Sequence, residues 1–126
     1  MRVFIVEDDE SMRMILKRLL RKNFPIITSF AESSSAEKAL EEIPSVNPDL
    51  ILVDISLPGM DGLEMIRRIK NKPNPTYILV LTGHEVEMYA KDAQKAGADD
   101  IVSKADDKQL LISVKALIEK HQFKKQ

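Results

Sequence analysis

A doubly wound α/β fold of five strand–helix units is the architecture expected of this chain, on three grounds. Short continuous apolar runs recur along it, segments of helical period lie between them, and cap and stop residues stand near the expected helix ends. The apolar runs do not alternate with polar residues. Strands read that way when helices cover both faces of a parallel sheet.

In chain order, Val3–Val6 is the first expected strand. Met12, Leu16, Leu19 and Leu20 then fall on one face of a first helix, at amphipathic spacing. Ile26–Ile27 is the second strand. Ala36, Ala39, Leu40 and Ile43 stripe the second helix, and Ser34 with Glu37 reads as a capping box at its start. Leu50–Val53 is the third strand, followed by the stripe Leu63, Ile66 and Ile69. Tyr77–Leu81 is the fourth; Val86, Tyr89, Ala90 and Ala93 make the helix after it, which Gly97 stops. Ile101–Val102 is the fifth strand. Leu110, Leu111, Val114, Leu117 and Ile118 line the last helix, capped by Asp106 or Asp107.

Strands alternating with helices imply a parallel sheet with right-handed crossovers. For five strands the common solution is the flavodoxin-like order 2-1-3-4-5, whose switch point lies between the first and third strands.

The 126 residues fit one compact domain, expected over residues 1–121, with 122–126 as a polar tail or the start of a truncated linker. There is no cysteine, which fits a reducing cytosol. The apolar stretch Val3–Val6 is too short for a signal-peptide core or a membrane span, so a soluble, cytoplasmic domain with no membrane partner is expected. Lys and Arg number 19 against 20 Asp and Glu, for a net charge of −1. That balance gives no electrostatic reason for this domain alone to bind nucleic acid.

Ligands of open α/β sheets bind beyond the carboxyl ends of the strands, near the switch point. Glu7-Asp8-Asp9 follow the first strand, Asp54 the third, Thr82 the fourth and Lys104 the fifth. With the first and third strands adjacent, Glu7, Asp8 and Asp54 converge. Carboxylates this close raise one another's pKa, and a divalent cation such as Mg²⁺, which takes oxygen ligands, resolves the repulsion. Asp54 then stays ionised and can attack phosphorus, while the metal, Lys104 and Thr82 neutralise the phosphoryl oxygens. Read alone, Asp8, Asp9 and Glu10 would only favour the first helix's N-terminus, and Asp9 is expected to do no more than that.

At these positions the chain resembles the response-regulator receiver family. The opening strand with Glu7-Asp8-Asp9-Glu10-Ser11-Met12-Arg13, the stretch Leu50–Gly62 around Asp54, Val80-Leu81-Thr82-Gly83, and Ala96-Gly97-Ala98-Asp99-Asp100 leading to Lys104 carry the likeness. It extends from Met1 to about His121. It implies a phosphoacceptor signalling domain rather than an enzyme. A sensor histidine kinase or phosphotransfer protein would supply the phosphoryl group to Asp54. Glu7, Asp8, Asp54 and the Ser56 backbone carbonyl would hold Mg²⁺, and Thr82 and Lys104 would contact the phosphoryl oxygens. Gly59 would permit the tight turn after Pro58. The first helix, with Arg13, Lys17, Arg18, Arg21 and Lys22, would face the phosphodonor. The fourth helix, fifth strand and fifth helix would form an output and dimer face, towards an output protein or an attached output domain.

The chain departs from the family pattern at two places. Ala105 stands where a cis proline usually follows the lysine, so a trans bond and a shifted loop are expected. Ile101 replaces the usual aromatic on the fifth strand, so an aromatic rotamer switch is expected to be absent or altered. His84, two residues past Thr82, either shields or orients water at the phosphoryl group or is a solvated helix-start residue. Met12 and Met65 read as core filler, and His121 as a complement to the last helix's dipole.

Two other functions compete. A phosphoaspartate phosphatase would want a second Asp two residues after the nucleophile, where Ser56 stands. A phosphorylation-independent interaction module would show a lost acid, threonine or lysine.

Overall fold

The computed structural model describes residues 1–71 and 76–125. The elements are β1 (Arg2–Val6), α1 (Glu10–Asn23), β2 (Ser29–Ser33), α2 (Ala36–Val46), β3 (Leu50–Asp54), α3 (Gly62–Lys70), β4 (Tyr77–Thr82), α4 (Val86–Ala96), β5 (Asp100–Ser103) and α5 (Asp107–Lys125). The five strands form one parallel sheet in the order β2-β1-β3-β4-β5, the flavodoxin-like arrangement expected from sequence.

Side chains alternate across a strand, so the sheet divides the interior into two half-cores. Phe4, Val6, Ile51, Val53, Ile78 and Val80 pack with Ala36, Ala39, Met65, Ile66 and Ala93 beneath α2, α3 and α4. Val3, Ile5, Leu50, Leu52, Leu79 and Leu81 pack with Leu16, Leu20, Leu110, Val114 and Leu117 beneath α1 and α5. Every residue of β3 and β4 is buried, which is why those runs read as unbroken apolar stretches.

The second strand lies downstream of its expected place. Ile26–Ile27 is not a strand; the Ile27 amide donates to the Phe24 carbonyl in a turn, and the Ile27 side chain plugs the α1/α5 half-core. The strand itself is Ser29–Ser33. It sits at the sheet edge with only β1 beside it and stays mostly half-exposed, so it carries no solid apolar run.

The cap of α2 also shifts by one residue. Ser35, not Ser34, accepts from the Lys38 amide at 3.2 Å. Glu37 is thereby freed from a capping box and reaches the loop after β3, where it accepts from the Met60 amide at 2.6 Å. Other caps stand as expected. Asp9 accepts from the Ser11 amide at 2.9 Å, Asp106 from the Gln109 amide at 2.9 Å, and α4 ends at Gly97. Met65 is fully buried and Met12 packs against the α1/α5 half-core. His121 lies 3.8 Å from Asp49, a partner the dipole reading did not include.

Candidate metal centre

The sheet register builds the site. Val6 pairs with Val53 across β1 and β3, so the next residue on each strand, Glu7 and Asp54, leave the sheet side by side. The Glu7 amide is still held by the edge strand, donating to the Ser33 carbonyl at 3.1 Å. Leu81 of β4 lies opposite Asp54 and its carbonyl accepts from Ile55, which ties the end of β3 to β4. Beyond β5, the Lys104 amide donates to the Thr82 carbonyl at 2.8 Å, and the Lys104 side chain turns back over the strand ends.

The Lys104 ammonium contacts both Glu7 oxygens, at 2.8 and 3.0 Å, and Asp54 Oδ2 at 2.9 Å. The other Asp54 oxygen accepts from the Ser56 amide at 2.9 Å. Glu7 and Asp54 are buried, at 1% and 3% exposure, while Asp8 is open to solvent. Carboxylate oxygens of Glu7, Asp8 and Asp54 lie within 4.8 Å of one another.

Burial, and next the hydrogen bond to Asp54, pushes Glu7 up to about 7. For Asp54 burial works in the same sense, but hydrogen bonds from Glu7, the Ser56 amide and Lys104 outweigh it and hold the group below the usual aspartate range. Burial would lower Lys104, yet its bonds to Glu7 and Asp54 keep it raised and charged. One ammonium thus bridges two of three clustered acids, and one buried acid is inclined to keep a proton. A divalent cation would supply the missing positive charge, and an all-oxygen donor set with an exposed side suits Mg²⁺.

The remaining expected residues fall near this cluster but not within its ion pairs. Thr82 is fully buried, and its hydroxyl accepts from the His84 amide at 3.0 Å. Strand alternation puts Thr82 with Val80 and Ile78 on the α2/α3/α4 side, whereas Asp54 and Lys104 continue the α1/α5 side. His84 is exposed, with its ring 5.9 Å from that of Tyr89. Ile101 packs half-buried against the α2/α3/α4 half-core, as does Tyr89. No cis peptide occurs among the described residues, so the bond before Ala105 is trans, as expected.

Gly59 has φ +75°, the left-handed conformation that the turn after Pro58 needs. Gly62 has a different task. A Cβ there would stand 2.5 Å from the Asp54 carbonyl oxygen, so α3 can start this close to β3 only on a glycine.

Several residues around the centre carry contacts that the sequence pattern does not mark. Arg13, one of the basic residues of the first helix expected to face a phosphodonor, donates to the Glu7 carbonyl at 2.6 Å and to Glu32 at 3.0 Å. Lys17 also pairs with Glu32, and Arg21 lies over the Phe30 ring. Glu32 lies on an edge strand that carries no solid apolar run, so the pattern does not mark it. Glu37 has the spacing of a capping-box acid but receives the Met60 amide instead.

Comparison with known proteins identifies the family. The family described as response regulator receiver domain matches residues 3–116. The chain is 34% identical over 104 residues to the chemotaxis protein CheY of Bacillus subtilis, covering 82% of this chain and 84% of that protein. It is 32% identical over 102 residues to the transcriptional regulatory protein FixJ of Bradyrhizobium diazoefficiens, covering 81% of this chain and 48% of that protein. Among solved structures, a two-component response regulator of the LuxR family from Aurantimonas superposes with a TM-score of 0.85 at 29% identity, over 94% of this chain and 84% of that one. The chain spans only 22% to 56% of the length of the longer curated relatives it matches.

Proposed function

The chain belongs to the response-regulator receiver family of two-component signalling, and from that membership we propose that Asp54 accepts a phosphoryl group from a histidine kinase or phosphotransfer protein in a Mg²⁺-dependent reaction. The observation that carries the proposal is the Lys104 ammonium held between Asp54 and Glu7 at the switch point of the sheet.

The chemistry follows from the charges. An oxygen lone pair of Asp54 forms the new bond to phosphorus as the phosphorus–nitrogen bond of the donor breaks, and the electron pair of that bond leaves on the donor imidazole. Lys104 is close enough to Asp54 to turn from the carboxylates to an incoming phosphoryl oxygen, and the Thr82 hydroxyl donates to another. The Ser56 amide steadies Asp54 Oδ1 during the exchange. Glu7, Asp8, Asp54 and the Ser56 backbone carbonyl would hold Mg²⁺, which supplies charge neutralisation for the acids and the phosphoryl oxygens.

The same residues would return the phosphoryl group to water, so the domain catalyses its own phosphotransfer and dephosphorylation without being a metabolic enzyme. Output passes through the α4-β5-α5 face, towards a partner protein, a second copy or a linked output domain, in the cytoplasm. The direct bond between the Lys104 amide and the Thr82 carbonyl supports that route by joining the reacting end of β4 to β5. Amide-exchange mapping tests it: protection changes on this face after phosphorylation are expected, and an unchanged face would rule it out.

The central test is intact mass after incubation with acetyl phosphate, with and without Mg²⁺, beside Asp54→Asn. One added phosphoryl group that requires Mg²⁺ and is absent from the variant is expected. No adduct together with no phosphate release from the donor would overturn the proposal in favour of a phosphorylation-independent module.

A further inference from the structure

We infer that Arg13 is a positioning residue for the acidic pair, acting through the backbone between Glu7 and Asp8; this rests on reading those acids as Mg²⁺ ligands. Arg13 lies on the first turns of α1, yet its side chain is only 14% exposed and turns back towards the end of β1. One guanidinium nitrogen donates to the Glu7 carbonyl at 2.6 Å and the Nε donates to Glu32 at 3.0 Å. Glu32 is itself fixed. It sits on β2 in register with Ile5, and its second oxygen pairs with Lys17. The hydrogen bond from Lys17 comes first among the causes that hold its carboxyl below the usual range.

The geometry matters because the peptide group is planar. The Glu7 amide is held by Ser33 and the Glu7 carbonyl by Arg13, so both peptide planes that flank the Glu7 Cα are pinned. The second plane leads directly to Asp8. Its orientation sets where the Glu7 and Asp8 side chains leave the backbone, and therefore how closely their oxygens approach Asp54. Only a fork with donors in two directions reaches both the carbonyl and Glu32; a lysine ammonium at the end of a flexible stem does not reproduce it.

Charge and position predict opposite signs, which makes the inference testable. Removing a cation near a metal site strengthens cation binding by Coulomb's law alone. Losing the positioning contact weakens it, and outer contacts of this kind are worth roughly 10- to 100-fold in metal affinity.

The test is calorimetric titration of Mg²⁺ into the whole metal-free chain, for wild type, Arg13→Met, Arg13→Lys and Lys17→Met, with thermal melts of each in the absence of Mg²⁺. Lys17→Met removes a cation from Glu32 without touching Glu7. The expected result is a weakening of about tenfold or more in Arg13→Met, little recovery in Arg13→Lys, and a Lys17→Met affinity within about twofold of wild type. Arg13→Met binding as tightly as wild type, or more tightly, overturns the inference, as does an equal loss in Lys17→Met. If Arg13→Met does not fold, the contrast between Arg13→Lys and Lys17→Met decides in the same way. A wild-type chain that binds no Mg²⁺ sinks the metal reading underneath; wild-type binding with an unchanged Arg13→Met sinks this inference alone.

Discussion

Lys104 Nζ stands 2.8 Å from Glu7 Oε1 and 2.9 Å from Asp54 Oδ2, so a cation from the end of β5 bridges two acids from the ends of β1 and β3. The bridge does two things that a variant separates. It screens the repulsion between the acids, and it competes with any metal for the same oxygens. In Lys104→Met, Mg²⁺ affinity is expected to rise, by on the order of tenfold. Phosphoryl transfer from acetyl phosphate is expected to fall by about 100-fold. Calorimetry and intact mass read the two effects separately; weaker Mg²⁺ binding in the variant would refute the competitive role.

Glu7 makes the metal-free protein sensitive to pH. Its folded pKa, about 7, lies above its ordinary 4.5, so between these values the native state holds a proton that the unfolded chain has lost. Stability of the metal-free protein is therefore expected to fall as pH rises from about 4.5 to about 7 through this group. Asp54, held low, acts in the opposite direction below the ordinary aspartate range. Mg²⁺ displaces the proton, so its affinity should climb as pH approaches 7 and level off above. Melting curves with and without Mg²⁺ across this range check both trends, and pH-independent Mg²⁺ affinity would contradict them.

Gly62→Ala should be costly, although alanine favours helices. The new Cβ would meet the Asp54 carbonyl oxygen at 2.5 Å, and that oxygen belongs to backbone that cannot rotate away. A loss of about 1–3 kcal/mol in urea unfolding is expected, with slower phosphorylation because α3 pushes on the Asp54 segment. Neutral stability would show that α3 can shift without cost.

Glu37→Ala should loosen the loop that carries Ser56 and Gly59. The Glu37 carboxylate receives the Met60 amide at 2.6 Å, and losing it costs about 1 kcal/mol. Faster hydrogen exchange at Met60 is the direct readout, with Glu37→Gln close to wild type. Unchanged exchange in the alanine variant would mean that the loop is held elsewhere.

The interior of the sheet was legible because β1, β3 and β4 are covered on both faces and so are written as solid apolar runs. The edge was not. β2 mixes Ser29 and Glu32 with Phe30 and Ala31, and the nearby apolar pair Ile26–Ile27 fills the core without pairing as a strand. The convergence of Glu7, Asp8, Asp54 and Lys104 could be read because strand ends and a switch point place whole residues. The Arg13 contact could not, because its acceptor is a main-chain carbonyl, and every residue type carries one.

The partition of the interior gives the two half-cores different inheritances. Glu7, Asp54 and Lys104 continue the strand positions that face α1 and α5, while Thr82 continues those that face α2, α3 and α4. A substitution beneath α1 and α5 therefore bears first on the charged trio, and one beneath the other three helices bears first on the hydroxyl. The sheet thus stands as a wall between the residues that carry the charges and the one that carries the hydroxyl.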